Sequence, residues 1–234
     1  MQAFSFMPIA TIETPFMEKF AIPRQAGIVS AAKGRVILCG EAAKPECVEG
    51  LEDFSHLWLT WVFHGVPQGE RQPRVRPPRL GGNVRVGVFA SRSPFRPNPI
   101  GLSVVKLDTI HIESGKAILE VSGVDMMDGT PILDIKPYIP YSDAISGASA
   151  GFAPDAPESK LEVLFLPEAE AALRARSDGD SVRELIRALL ALDPRPAYKQ
   201  AQTEGEYGML LYDFDLQWRI NGNCAEVVAL RAPK

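Results

Sequence analysis

Seven arginines, Arg71, Arg74, Arg76, Arg79, Arg85, Arg92 and Arg96, follow one another with no aspartate or glutamate until Asp108. Guanidinium groups stay charged at any physiological pH and fork onto phosphate or carboxylate, so an acid-free run of them points outward to an anionic ligand. The alternative is a solvated basic loop whose partners are acids elsewhere in the chain. The arginines sit among prolines and glycines, in Arg76-Pro77-Pro78-Arg79-Leu80-Gly81-Gly82-Asn83 and in Ala90–Leu102 (ASRSPFRPNPIGL). Proline stiffens such loops and glycine lets backbone approach a ligand, which presents the charges at low entropic cost. Two more segments are unusual in composition. Ile22-Pro23-Arg24-Gln25-Ala26-Gly27 offers a guanidinium and an amide beside flexible backbone. Asp125–Asp143 (DMMDGTPILDIKPYIPYSD) holds a turn at Asp128-Gly129, a short strand and tyrosines between prolines. Taken by itself, this last segment also suits a turn followed by an edge strand, where proline is tolerated.

Other chemistries lack their residues. There is no GxxxxGK[ST] to cradle phosphates, no GxGxxG for a dinucleotide-type fold and no GxSxG nucleophile elbow. Cys39, Cys47 and Cys224 are odd in number and show no CxxC, so they read as reduced thiols of a cytosolic protein. His56, His64 and His111 have no metal-ligand spacing, and no metal site is expected.

The elements that must position these loops follow from periodicity. The first 150 residues read as short strands broken by Gly and Pro: Val36–Cys39, Leu57–Phe63, Asn83–Phe89, Ser103–Ile112, Ala117–Val124 and Ile132–Ile135, with Val48–Leu51 as a possible short helix start. No long helix intervenes, so an all-β barrel or sandwich is expected rather than a βαβ sheet. Ser142–Pro157, rich in Ser, Gly, Ala and Pro, reads as a linker or a long surface loop. Beyond it the pattern predicts a strand at Leu161–Phe165, a helix over Pro167–Arg176 and a second helix opened by a Ser181/Glu184 capping box and running to about Leu192. A strand over Tyr207–Ile220, a turn at Asn221-Gly222 and a return strand over Ala225–Leu230 complete the chain. The chain is therefore expected to be mainly β, with a first domain over 1–150 and a smaller α+β domain over 158–234. No apolar run spans a bilayer and the N-terminus lacks a basic signal region, so a soluble cytoplasmic protein is expected.

The formal net charge of −4 argues at first against nucleic acid. Split at residue 150, the first part carries 15 basic and 15 acidic side chains and the second 10 and 14. The deficit lies wholly in the last third, and the acid-free arginine segment is masked in the sum.

The blocks RPPRLGGNVRVGVFASRSPFRPNPIGLS and DGTPILDIKPYIPYSD, together with AIPRQAG, DFSHLWLTWVFH, DPRPAY and YGMLLYDFDLQWRI, resemble the signature segments of the TsaA-like, or TrmO-type, family over nearly the whole chain. The resemblance implies an S-adenosylmethionine-dependent tRNA methyltransferase that acts on N6 of threonylcarbamoyladenosine, just 3′ of the anticodon of threonine tRNAs. It also implies a non-Rossmann β-barrel catalytic domain, a smaller C-terminal domain and a homodimer. Carried over by matching blocks, the donor pocket would include Pro23, Arg24, Gln25, His64, Gly65, Arg92, Leu102, Asp128, Gly129, Thr130 and Pro131. His64 also suits a satisfied strand-end histidine.

An N6 attached to a carbonyl must lose its proton on methylation, and Asp128, His64, Tyr138 and Asp134 are the candidate bases. Arg76, Arg79, Arg85, Arg96, Arg195 and Tyr198, with Tyr138 and Tyr207, are the candidate contacts to an anticodon stem-loop, where splayed bases stack on aromatic or guanidinium planes. Two other readings keep the same framework: methyl transfer to another RNA or small molecule, and a non-catalytic regulator that binds RNA or the donor.

Overall fold

The computed structural model describes residues 2–67 and 69–233. Eight strands precede the linker: β1 (Ala10–Glu13), β2 (Lys33–Leu38), β3 (His56–Val62), β4 (Arg74–Val75), β5 (Val86–Gly87), β6 (Ile100–Glu113), β7 (Lys116–Ser122) and β8 (Thr130–Pro137). Six of them close into an antiparallel barrel in the order β1-β2-β7-β6-β3-β8. Period-2 alternation drives this. Leu57, Leu59 and Trp61 of β3 and Gly101, Ser103, Val105 and Leu107 of β6 point inward, where they meet Ile12, Val36, Leu119 and Ile132.

The segment 125–143 is no edge. β8 pairs with β1 on one side and β3 on the other, and Pro131 and Pro137 lie next to or at its two ends, where the ladder tolerates a missing donor. The strand expected over Asn83–Phe89 shrinks to Val86–Gly87, which pairs only with Arg74–Val75, and Val88–Ala90 is a 3-10 turn. The alternation there is genuine, but the surrounding prolines leave no long partner strand to satisfy it. The Val48–Leu51 expectation resolves into 3-10 turns over Pro45–Val48 and Leu51–Asp53.

After the one-turn helix α1 (Pro140–Asp143), the last third forms strand β9 (Glu162–Phe165), helices α2 (Pro167–Arg174) and α3 (Gly179–Ala191), and strands β10 (Glu204–Leu211), β11 (Phe214–Asn221) and β12 (Cys224–Arg231). The sheet order is β10-β11-β12-β9, with β9 parallel to β12. Helix α3 buries Val182, Leu185, Ile186, Leu189 and Leu190, a three-four repeat on one face. Its start differs from the expected capping box. Asp178 is the N-cap with no side-chain cap bond, and Ser181 lies within the first turn. The single strand expected over 207–220 is two, folded at Tyr212-Asp213 with Tyr212 at φ 49°.

The two parts meet at the β1–β2 loop. Phe16 pairs with Leu211, the Tyr212 amide donates to the Pro15 carbonyl at 2.9 Å and the Leu210 amide to Glu18 Oε1 at 2.8 Å. The β10–β11 hairpin thus grips the loop that carries Lys19 and Ile22–Gln25.

Candidate active site

The exits of β1, β3 and β7 and the entries of β2, β6 and β8 all lie at one end of the barrel, as antiparallel order requires. At that mouth is a cavity of about 450 Å³. Its walls come from four stretches far apart in sequence: Lys19 and Ile22–Gln25, Trp58 to Val66, Ser91 to Leu102 of the arginine block and β6, and Asp125–Met127. Trp61 lies flat along Gly101, its registered partner across β3 and β6. A Cβ at Gly101 would stand 2.2 Å from the indole, so only glycine permits this ring position. Phe63 packs edge-on against Trp61 with centroids 4.3 Å apart. Trp58, Ile100 and Leu102 alternate to the outer face of the barrel, so the cavity runs from the mouth over its rim.

Four of the lining side chains are cationic, Lys19, Arg24, Arg92 and Arg96. Arg92 donates to Gln25 Oε1, which ties the arginine block to the first loop. Burial, and then repulsion from Arg79, holds the Arg24 guanidinium below its usual range, with Asp193 partly offsetting this. Pro23, Arg24, Gln25, His64, Gly65, Arg92 and Leu102 thus come together from three separate blocks.

The DGTP residues do not join them. Asp128 Oδ1 accepts from the Thr14 amide at 2.9 Å, while the Asp128 and Gly129 amides donate to the carbonyls of Phe16 and Ile12. Thr130 Oγ1 donates to the Met127 carbonyl at 2.6 Å and lies 3.3 Å from His64 Nδ1, and Pro131 is a ladder residue opposite Thr11. The turn, with Gly129 at φ 71°, latches β1 to β8 from behind and so holds Met126 and Met127 in the cavity wall. Tyr138 packs by His56 and Trp58 at 6.3 and 6.0 Å, and Asp134 pairs with Lys136 on the barrel's outer surface. Neither lines the cavity.

Asp125 does, and it was not among the sequence candidates. Ser103 Oγ donates to its Oδ1 at 2.6 Å, the Ala26 amide donates to the same carboxylate, and Trp61 Nε1 donates to Ser103 Oγ at 3.0 Å. Burial outweighs these bonds and pushes the carboxyl up to about 6. The sequence signal was slight: Asp125 opens the third unusual segment, three residues before the more conspicuous Asp128.

Among the described residues the seven arginines from Arg71 to Arg96 make no ion pair. Arg76 and Arg85 are exposed, and Arg79 donates to the Asp155 carbonyl of the linker. Arg96 turns inward, donating to the carbonyls of Val88 and Ser91 with its guanidinium 5.7 Å from the Phe89 ring. Tyr198 is 78% exposed. Arg195 is the correction: it is buried, bidentate to Asp193 at 2.7 and 2.8 Å, and its remaining donors go to the carbonyls of Lys199, Gln200 and Gln202. No donor is left for RNA. Tyr207 is stacked on Trp218 at 4.7 Å in the hairpin core. No group of histidine, cysteine and acidic side chains suited to a metal occurs among the described residues, and no helix among them is long and apolar enough to cross a membrane.

The family model described as the tRNA-methyltransferase O N-terminal domain matches residues 11–144, and that of the TrmO C-terminal domain matches residues 158–233. The chain is 44% identical over 232 residues to the tRNA (adenine(37)-N6)-methyltransferase of Escherichia coli (strain K12), covering 98% of this chain and 99% of that protein. A Pyrococcus abyssi (strain GE5 / Orsay) relative named "Probable S-adenosyl-L-methionine-binding protein" is 37% identical over 147 residues, 63% of this chain and 74% of its own. The crystal structure of TrmO from Pseudomonas aeruginosa superposes with a TM-score of 0.79 at 37% identity, covering 99% of both chains. With two family models spanning the barrel and the C-terminal unit, the chain belongs to the tRNA-methyltransferase O family of methyltransferases.

Proposed function

We propose that this protein transfers a methyl group from S-adenosylmethionine to N6 of threonylcarbamoyladenosine at position 37 of threonine tRNA. In this reading it acts in the cytoplasm as a homodimer, with residues 1–150 as the catalytic barrel and 158–234 as an accessory domain. One observation carries the reading: loops far apart in sequence converge on a cavity lined by both aromatic and cationic side chains, beside arginines that make no ion pair among the described residues. Its volume falls within the range of about 300–1,000 Å³ usual for small-molecule sites. Trp61, Phe63 and Leu102 suit a nucleobase, and Arg24, Gln25 and Arg92 suit an amino-acid carboxylate, so the residues present fit the methyl donor.

When bound, the donor supplies an electrophilic methyl group on a positively charged sulfur. The chain's own part is to hold the acceptor nitrogen in line and to exclude water, which by itself is worth many powers of ten in effective concentration. His64 is exposed at the mouth, where it would meet an incoming base. Arg76, Arg79, Arg85 and Tyr198 provide the outer contacts to phosphate and splayed bases. The exposed apolar side chains Phe89, Ile100 and Leu102 near the mouth suit cover by a second copy.

The test uses labelled methyl donor with purified tRNA, with and without the threonylcarbamoyl group. Incorporation into the modified tRNA alone is the expected result. Equal labelling of both, or of a small molecule instead, overturns the acceptor assignment. Donor binding without any labelling favours the regulator.

A further inference from the structure

We propose that Asp125 is the catalytic residue that takes the N6 proton as the methyl group arrives. This rests on the function proposed above, because it presumes an N6–H acceptor. Of the ionisable side chains lining the cavity, Lys19, Arg24, Arg92 and Arg96 carry no acceptor, which leaves His64 and Asp125, the sole carboxylate among the described lining residues.

The direction of the hydrogen bonds singles out Asp125. An indole N–H can only donate, so Trp61 uses a lone pair of Ser103, and the one hydroxyl proton of Ser103 goes to Asp125 Oδ1. The Ala26 amide also donates to the carboxylate. Every protein group bonded to Asp125 in this arrangement donates to it, which holds the carboxylate ionised. An ionised carboxylate has about four lone-pair sites, so it faces the cavity as an acceptor with capacity left for an N–H of whatever occupies it. Gly101 locks the arrangement, since any side chain there would displace the Trp61 indole.

The step balances. The N6 lone pair forms the new bond to the methyl carbon, the carbon–sulfur bond breaks with its electron pair left on sulfur as a neutral thioether, and the N6 proton passes to the Asp125 carboxylate. Burial makes this carboxyl a stronger base than a solvated one, while the Ser103 hydroxyl, then the backbone amides and last the Arg92 charge offset part of that rise.

Asp125→Asn keeps the shape and removes the basicity. On the full chain with threonylcarbamoyl-modified tRNA, the single-turnover rate is expected to fall about 10²–10⁴-fold, with donor affinity by calorimetry within threefold of wild type. The wild-type rate rises with pH through an acid limb near 6 that the variant lacks. A readout independent of turnover is the carboxyl 13C shift of Asp125 in the protein alone, which should titrate near 6, with Ser103→Ala moving that midpoint upward by loss of the bond favouring the ionised form.

A full rate in Asp125→Asn, with His64→Gln taking the loss and the limb, overturns the assignment. So does a donor affinity lowered tenfold at unchanged rate, which would make Asp125 a ligand of the donor. A folded wild-type chain that binds donor but methylates no tRNA overturns the proposed function and this role with it. A variant that melts earlier than wild type at pH 8 would assign Asp125 to architecture, because a carboxylate ionised against its burial costs stability and its neutral replacement should not.

Discussion

Two aspartate–arginine neighbourhoods in this molecule use the same chemical groups to opposite ends. Asp193 and Arg195 are both almost wholly buried, meet in a two-pronged ion pair and pass the remaining guanidinium protons to three backbone carbonyls of the loop that follows. Every charge is answered, so nothing remains to engage a ligand. At the barrel mouth Asp125 and Arg92 are near enough to feel one another yet do not pair, and Arg92 turns to Gln25 while Asp125 is met only by neutral donors. That separation leaves an unanswered negative and an unanswered positive charge lining one cavity. A closed pair fixes a loop, whereas an open one stores the capacity to bind or to move a proton, at some cost in stability.

The sharpest way to break this contrast is to open the closed pair. Asp193→Asn leaves the buried Arg195 guanidinium without its counter-charge and should cost about 3–5 kcal/mol in urea unfolding, while donor affinity of the folded protein stays within threefold. Next comes Arg92→Ala. Loss of a charge-assisted bond of about 1.5–3 kcal/mol should weaken donor binding at least tenfold, with stability within about 0.5 kcal/mol of wild type. If Arg92→Ala unfolds the chain and Asp193→Asn does not, the two neighbourhoods have been assigned the wrong way round. The smallest effect is expected from Arg76→Ala with Arg79→Ala, which should flatten the salt dependence of tRNA binding by about 0.7–0.9 per lost phosphate contact and leave donor affinity alone. An unchanged slope would remove these arginines from the RNA surface.

The difference between the two neighbourhoods also marks how far the sequence carries. Leu57–Phe63 could be read as a buried strand because it is a run of aromatic and β-prone residues, a local property of the chain itself. The arginine block could be read as a ligand surface because no acid lies within it, and among the described residues none pairs with it in space either. Asn83–Phe89 alternates and yet forms only two residues of strand, since pairing needs a partner that the chain does not bring. The DGTP turn read as pocket, yet its Asp128 carboxylate and its Asp128 and Gly129 amides are bonded to Thr14, Phe16 and Ile12, in and just after β1 and more than 110 residues away.

By itself, then, the sequence determined the mainly β barrel, the α+β unit after the linker, the family and the three loops that supply most of the cavity. Only the tertiary structure decided which charged groups remain free to act. Arg195 and Arg92 sit in similar proline-rich stretches, yet carbonyls from Lys199 to Gln202 close one and leave the other open. Asp125 and Asp128 stand three residues apart, yet the first is desolvated beside Ser103 at the cavity and the second is tied to Thr14. Desolvation and hydrogen-bond direction are set by neighbours distant in sequence, and these fix a carboxylate's basicity and a guanidinium's availability.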